Sequence, residues 1–383
     1  MAIAVRFPRS SLYLHHFRRG FTFNFTSVNN SQKQFIVTTP RRNIMTNSAA
    51  WLTAAKARPF EVKPADTYTP AEHEILVENR AIGINPSDGS LQAFAWLPLK
   101  YPTILGQDIS GNVVAVGSGV TRFKKGDRIV AHAVGMGSQR IQDNAFQAYT
   151  IINEHMASPI PDNLPYENAA VLPLGISTAA CALFQEAPFL QLHYPTEPAQ
   201  KPTGKVVLIW GGSSTVGSNA IQLARAAGYT AVTTASTKNH DYVKNLGASE
   251  VFDYNSSTIS EDLTKALQGK EIVGVVDCIG GNALKVCVEV LHKVQGKGAI
   301  ATAKGGVDDP PEGITIKRIF GTTLKDNAVG KAIYVDFLPK ALAAGTYIPS
   351  PGPRVEGKGL EHLQAAVDRV VKGVSATKVV VTL

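Results

Sequence analysis

The 383-residue sequence predicts a two-domain α/β protein, a small β-rich, barrel-like domain joined to a doubly wound parallel sheet. Three observations carry this. Residues 106–132, GQDISGNVVAVGSGVTRFKKGDRIVAH, alternate Val and Ile between glycine turns, as short strands do. From Lys205 onward, apolar strand-like runs alternate with helical stretches. Between the first such strand and its helix stands a glycine-rich turn, Trp210-Gly211-Gly212-Ser213-Ser214-Thr215-Val216-Gly217.

In chain order, ILVENRAIGI (75–84) reads as a strand ending in the turn Asn85-Pro86-Ser87-Asp88-Gly89. The run 106–132 turns at Gly117-Ser118-Gly119 and again at Lys125-Gly126-Asp127, and such spacing suits a small barrel. PYENAAVLPLGISTAACALF (165–184) is rich in Ala and Leu and predicts helices. Residues 186–204 hold Pro188, Pro195, Pro198 and Pro202 and predict a surface insertion, ordered or mobile. KVVLIW (205–210), TAVTTAS (230–236), SEVFDY (249–254), EIVGVVDCIGG (271–281) and KGAIATA (297–303) predict five strands, with TIKRIFGTTL (315–324) as a candidate sixth. Helices fall between them at 216–227, 241–247, 259–268 and 283–294. Residues 326–383 predict two helical segments and a last strand, KVVVTL, returning to the first domain. The expected division is an extension over 1–48, a β-rich domain over 49–175 with 326–383, and the parallel-sheet domain over 176–325.

Composition narrows the function. The net charge is +8, but nine of the 38 basic residues lie in 1–60, which hold no acid, leaving 29 bases against 30 acids in the rest. A nearly neutral body offers no field for a polyanion, so nucleic acid is not an expected partner. No apolar run is read as reaching the ~20 residues that span a bilayer, so no membrane partner is expected either. Cys181, Cys278 and Cys287 form no CxxC pair and read as buried thiols in a reducing compartment. Residues 1–45, rich in Arg, Ser, Thr and Asn, match a mitochondrial transit peptide. A disordered tail, or an extension upstream of a working start at Met45, fits them as well, so the expected location is cytoplasmic or mitochondrial.

The glycine turn stands where a dinucleotide pyrophosphate needs bare backbone. Glycines let the chain approach the phosphates, and the helix N-terminus supplies free N–H groups and a positive dipole end. At the end of the second strand, NAD sites place an acid against the ribose hydroxyls. Here the chain reads Ser236-Thr237-Lys238-Asn239, with no acid. Ser236 and Lys238 would accept a 2′-phosphate that a carboxylate would repel, so the expected cofactor is NADP(H).

Together NPSD (85–88), the run 106–130, PLGISTA (173–179), GGSSTVG (211–217) and DCIGG (277–281) resemble the medium-chain dehydrogenase/reductase superfamily over about residues 50–383. GGSSTVG, ASTKN (235–239), FDY (252–254) and KGVSATKVVV (372–381) look most like fungal enoyl reductases acting in trans with polyketide synthases, and related toxin-cluster oxidoreductases. The resemblance implies a GroES-like β-rich domain plus a Rossmann sheet. Zinc-dependent members supply a catalytic Cys, a GHE His and a four-Cys lobe. Here the turn is NPSD, the GHE position reads Gly106-Gln107-Asp108, and three scattered cysteines cannot build the lobe, so no metal site is expected.

The resemblance also implies site residues. Asn85, Ser87 and Asp88 would lie beside the nicotinamide, with Thr178 lining the cleft below. Gly212, Ser213, Ser214, Val216 and Gly217 would hold the pyrophosphate. Ser236 and Lys238 would take the 2′-phosphate, with Tyr254 near the adenosine. Ile279 and Gly280 would pass the ribose, and Val374 and Ser375 would close on the nicotinamide. The implied reaction is hydride delivery to an alkene conjugated to a carbonyl, on a small-molecule or carrier-bound enoyl substrate, by a monomer or homodimer. Alternatives are a quinone or carbonyl reductase on the same scaffold, or a weakly catalytic NADPH-binding protein. No catalytic acid is assigned: some branches use a Tyr soon after the NPSD turn, but the nearest here is Tyr101, and His132 reads as structural.

Overall fold

The structure is a computed structural model and describes residues 46–306 and 309–383. The expected presequence, 1–45, lies outside the described residues.

The β-rich half begins with β1 (Asn47–Leu52), β2 (Glu61–Ala65) and β3 (Glu74–Gly83), followed by α1 (Pro86–Phe94). Next come β4 (Thr103–Ile104), β5 (Asp108–Val116), β6 (Arg128–His132), β7 (Tyr149–Asn153) and β8 (Ala157–Pro159). The reversal before β6 rests on Gly126, whose φ of +97° is one that side-chain-bearing residues rarely adopt. β3 pairs antiparallel with β5 and β7, and apolar side chains from these strands, Ile75, Val77, Ile82, Ile109, Val113 and Ile152, form one core.

Helix α2 (Pro173–Phe184) follows, opened by Pro173 at its first turn, where the missing N–H costs nothing. The segment Tyr166–Phe184 is apolar enough by length and hydropathy to span a membrane, which corrects the sequence expectation. In the fold it is two helices, with most of it packed inside the protein, so its hydropathy reflects a core element. The proline-bearing insertion is tied down. Leu190 and Leu192 are buried, and their amides donate to the carbonyls of Ala182 and Leu183 at 3.1 and 2.8 Å.

The second half runs β9 (Val206–Trp210), α3 (Thr215–Ala226), β10 (Thr230–Thr234), α4 (His240–Asn245), β11 (Glu250–Phe252), α5 (Ile259–Leu267), β12 (Ile272–Asp277), α6 (Asn282–Gln295), β13 (Gly298–Thr302) and β14 (Ile314–Arg318). The six strands are all parallel, in the order β11-β10-β9-β12-β13-β14. This is the Rossmann order, third-second-first-fourth-fifth-sixth. VVLIW in β9 is buried throughout because helices cover both faces. The sixth strand, open at the sequence level, is present as β14.

The C-terminal stretch is helical from Ala328 to Ala344, with a π-helical stretch at Ala332–Phe337, and its last part is α7 (Leu338–Ala344). Then come β15 (Pro353–Lys358), α8 (Leu363–Lys372) and β16 (Lys378–Thr382). β16 pairs antiparallel with β3, Val381 opposite Ile82. β15, which the sequence did not announce, runs parallel to β16 at the sheet edge, where Pro353 as first residue withholds no needed donor.

Candidate active-site cleft

Parallel sheets of this order bind ligands beyond the C-terminal strand ends, at the point where the strand order reverses. Here that point lies between β9 and β12, and a cavity of ≈ 1010 Å³ opens there. Its wall is the turn Trp210-Gly211 and Ser213-Ser214-Thr215, with Asn239, Tyr254 and Ile279 arriving from the ends of β10, β11 and β12. Pro86, at the start of α1, and the segment Val374–Thr377, just before β16, face the turn.

The turn is shaped by its glycines. Gly211 has φ +86°, and its N–H donates to Thr234 Oγ1 at 3.0 Å. A Cβ on Gly212 would sit 2.3 Å from Thr233 Oγ1, and one on Gly217 2.3 Å from the Gly211 carbonyl oxygen. These two positions let α3 and β10 approach the turn; Gly211 is the glycine that lines the cavity. Ser214 Oγ accepts the Gly217 N–H at 3.0 Å, which leaves earlier amides of the first turn of α3 for an anion. A bare-backbone turn, unpaired amides at the start of α3 and an open cavity together fit a dinucleotide. Val216 is half-buried and packs against the core rather than lining the cavity.

Of the other expected residues, Ser213, Ser214, Tyr254, Ile279, Val374 and Ser375 line the cavity. Gly280, with φ +79°, is held from below: Asp277 Oδ1 accepts the amides of Ile279 and Gly280, both at 3.0 Å. Ser236 and Lys238 stand just outside the lining, Lys238 exposed, while Asn239 lines it. Asn239 Nδ2 donates to Ser236 Oγ at 3.1 Å and to Ser375 Oγ at 3.2 Å, tying the end of β10 to the C-terminal segment. Thr178 is nearly buried, its hydroxyl donating to the Leu174 carbonyl at 2.6 Å, and it is not among the lining residues.

Asn85 and Asp88 differ most from expectation. Their side chains are buried and engaged behind the cleft, and Pro86 supplies the cavity surface. Asn85 Oδ1 accepts from Lys378 Nζ at 2.5 Å, and its Nδ2 donates to Asp108 Oδ2 at 3.0 Å. Lys378 Nζ also donates to Asp108 Oδ2 at 2.6 Å, and Asp108 Oδ1 accepts the Leu174 amide at 2.6 Å. Asp88 Oδ2 accepts the Asn85 N–H at 2.8 Å. Ser87 Oγ accepts from Gln107 Nε2 at 2.9 Å. Beneath this network His132 Nδ1 lies 2.9 Å from Ser177 Oγ, which meets the Tyr334 hydroxyl at 2.8 Å. Burial holds His132 down at about 4, a neutral imidazole, against the pull of Asp108. Burial also pushes the Cys181 thiol up to about 11, and Cys278 and Cys287 are raised for the same reason, so all three are inert thiols.

Sequence reasoning did not single out Lys378 or Asp108 as partners. The signal was a lysine opening an otherwise apolar strand and an acid inside GQDIS, each an unsuitable core residue unless paired with another. Among the described residues, no three His, Cys, Asp or Glu side chains converge in a metal-holding group.

Fold and cleft define a Rossmann-type α/β protein with a GroES-like β-rich half. The family profile "Alcohol dehydrogenase GroES-like domain" matches residues 71–162, and "Zinc-binding dehydrogenase" matches 215–327. The chain is 58% identical over 337 residues to the zinc-binding alcohol dehydrogenase domain-containing protein cipB of Emericella nidulans, covering 88% of this chain and 98% of that one. It is 39% identical over 340 residues to the trans-enoyl reductase himH of Aspergillus japonicus, covering 88% and 97%. Among solved structures, an alcohol dehydrogenase superfamily protein from Novosphingobium aromaticivorans aligns with TM-score 0.72 at 26% identity, over 88% of this chain and 100% of that one. The Escherichia coli quinone oxidoreductase complexed with NADPH aligns with TM-score 0.67 at 22% identity over 88% and 100%, which speaks to the fold alone. The chain belongs to the medium-chain dehydrogenase/reductase superfamily and is an oxidoreductase of that superfamily.

Proposed function

We propose that the chain is an NADPH-dependent reductase of carbon–carbon double bonds conjugated to a carbonyl, working without zinc. The observation that carries this is the cleft itself. A bare glycine turn and a helix N-terminus face the C-terminal segment Val374–Thr377 across a cavity at the strand-order reversal. The relatives named trans-enoyl reductase supply the reaction class. NADPH, when bound, supplies the hydride.

The chain's own residues do the rest. The amides at the start of α3 and the Ser213 hydroxyl take the pyrophosphate. Ser236 and Lys238 take the 2′-phosphate, with Asn239 fixing the Ser236 hydroxyl. Tyr254, Ile279, Val374 and Ser375 all line the cavity; Tyr254 would lie near the adenosine, Ile279 would pass the ribose, and Val374 and Ser375 would close on the nicotinamide. The buried Asn85–Lys378–Asp108 network fixes the α1 turn against the base of β16, so Pro86 and Thr377 keep their separation. Zinc independence rests on the residues at the ligand positions, since NPSD and Gly106-Gln107-Asp108 present no thiolate or imidazole there. The same reading proposes a small-molecule or carrier-bound enoyl partner, a monomer or homodimer, and a cytoplasmic or mitochondrial location.

NADPH oxidation by the purified chain against enones, enoyl thioesters, quinones and aldehydes tests the reading. Enones or enoyl thioesters should have the highest kcat/KM, with chelators leaving turnover unchanged. Preference for quinones or aldehydes, or loss of activity with zinc removal, would overturn it.

A further inference from the structure

Asp277 ends β12 and is 0% exposed. In the sheet register it lies between Trp210 at the end of β9 and Thr302 at the end of β13. Its carboxyl anchors the loop that follows, residues 278–281. Oδ1 accepts the Ile279 and Gly280 amides, each at 3.0 Å, and Oδ2 accepts the Gly280 amide at 3.0 Å and the Thr302 hydroxyl at 2.8 Å. The Cys278 amide donates to the Trp210 carbonyl at 3.1 Å. Gly280 packs so closely on Lys304 that a Cβ there would meet the Lys304 carbonyl oxygen at 2.7 Å. Taking a carboxyl out of water costs stability, and uncharged donors offset only part of that cost. What this anchoring holds is an exposed apolar side chain. Ile279 is 46% exposed and lines the cofactor cavity. It leans over the glycine turn: a Cβ on Gly211 would lie 2.9 Å from Ile279 Cγ1 and 3.0 Å from its Cδ1.

We propose that Asp277 is a positioning residue for the reaction. Tied to β13 through Thr302, it holds Ile279 above Gly211 as a fixed apolar wall, and that wall sets the orientation of the nicotinamide end of bound NADPH. The proposal rests on the reductase reading for the cofactor, and it adds how the chain orients it. The two ends of the cleft contribute differently. The phosphates meet amides and hydroxyls at the start of α3 and the end of β10, and such charge-assisted hydrogen bonds supply affinity. The Ile279 side chain has neither donor nor acceptor. It limits where a ribose and its ring can rest, and orientation governs rate: a displacement of about 1 Å costs on the order of a hundredfold. A side chain acts as a wall only if its backbone does not yield. Gly280 and Gly281, with φ of +79° and +61°, are the residue type with the widest backbone freedom. The Asp277 carboxyl removes that freedom by fixing the Ile279 and Gly280 amides.

NADPH is the probe. The fluorescence lifetime of its reduced nicotinamide reports how firmly the ring is held, independently of turnover, and calorimetric titration of the full chain gives Kd alongside. Ile279 is exposed, so Ile279→Ala should leave the fold intact. It should shorten the lifetime of bound NADPH toward that of the free cofactor while changing Kd less than about threefold. Its kcat with an enone should fall about tenfold or more. Asp277→Ala should do the same. Asp277→Asn should recover most of the native lifetime, because its side-chain oxygen accepts both amides and its NH2 donates to Thr302 Oγ1. Should Asp277→Ala fail to fold, Thr302→Val takes its place: the carboxyl loses its tie to β13, and the lifetime should shorten in the same direction. A native lifetime in Ile279→Ala, or Kd losses as large as the losses in kcat, would overturn the proposal, as would an Asp277→Asn lifetime no longer than that of Asp277→Ala. Enone turnover by the native chain separates the two readings. Turnover with lifetimes unchanged across the variants sinks the positioning role alone, and shortened variant lifetimes without enone turnover by the native chain sink the reductase alone.

Discussion

Lys378 Nζ lies 2.6 Å from Asp108 Oδ2 in the interior, the two side chains 3% and 0% exposed. Lys378 opens β16 and Asp108 opens β5, so the pair joins the last strand of the chain to the β-rich sheet. A buried charge stripped of its partner is costly, about 3–5 kcal/mol, whereas removing both charges costs far less. Lys378→Met should therefore destabilise the protein by about that amount. Adding Asp108→Asn should recover part of the loss, because Asn can still accept the Leu174 amide. Urea unfolding of both singles and the double checks this; strictly additive losses would mean that the charges do not interact.

The glycine turn gives a second prediction. A methyl on Gly217 would meet backbone, the Gly211 carbonyl, which cannot rotate away as a side chain can. Gly217→Ala must therefore push α3 off the turn. We expect a loss of about 1–3 kcal/mol in stability and a drop in NADPH affinity. Gly204→Ala, at a position with φ +76° and open space around it, is the control: strained backbone with no shift of α3. Cofactor titration of the two variants distinguishes them, and NADPH affinity unchanged in Gly217→Ala would remove the turn from the binding site.

The phosphate turn and the alternation of strand and helix were legible because each is local: a strand, a glycine turn and a helix follow one another in sequence. The parallel doubly wound sheet followed from the same alternation. What was not legible depends on distant pairing. Asn85, Asp108 and Lys378 meet only because β16 returns beside β3, and nothing near Asn85 says that its side chain will turn inward to a lysine almost three hundred positions away. Asn239 was read as part of a phosphate-binding tetrapeptide, yet its amide spans to Ser375, a contact set by the same return. β15 escaped notice because PRVEGK is half polar, as an exposed edge strand can be.

His132 sets a pH dependence. Its folded-state value of about 4 lies below the unfolded imidazole, near 6.5. Between those values the unfolded chain binds a proton that the folded chain does not, so stability rises with pH across this window and is lost on acidification through it. The contribution is at most about 3 kcal/mol. Asp88 acts in the opposite sense, its raised value costing stability as pH rises from about 4 to about 7. Comparison with His132→Asn isolates the histidine. The difference in unfolding free energy between native and variant should grow from pH 4 to pH 6.5 and stay constant above it. A difference that does not change with pH would show that His132 is not buried neutral.

Cofactor choice is the last test. Ser236 and Lys238 follow β10, the position from which NAD-binding sheets present an acid to the ribose, and no acid stands there. Lys238 is exposed at the edge of the cleft, beside Asn239, which lines it, and so is free to reach a 2′-phosphate. A charge-assisted hydrogen bond contributes about 1.5–3 kcal/mol, and each ~1.4 kcal/mol is tenfold in affinity. Lys238→Ala should weaken NADPH binding by about ten- to a hundredfold. NADH binding should stay nearly constant, because NADH has no 2′-phosphate to lose. Asn239→Ala should weaken both cofactors, since it frees the Ser375 hydroxyl as well as that of Ser236. Calorimetric titration of NADPH and NADH against the native chain and both variants decides the matter. Equal losses for the two cofactors in Lys238→Ala would make that lysine structural, and tight NADH binding by the native chain would overturn the choice of NADP(H).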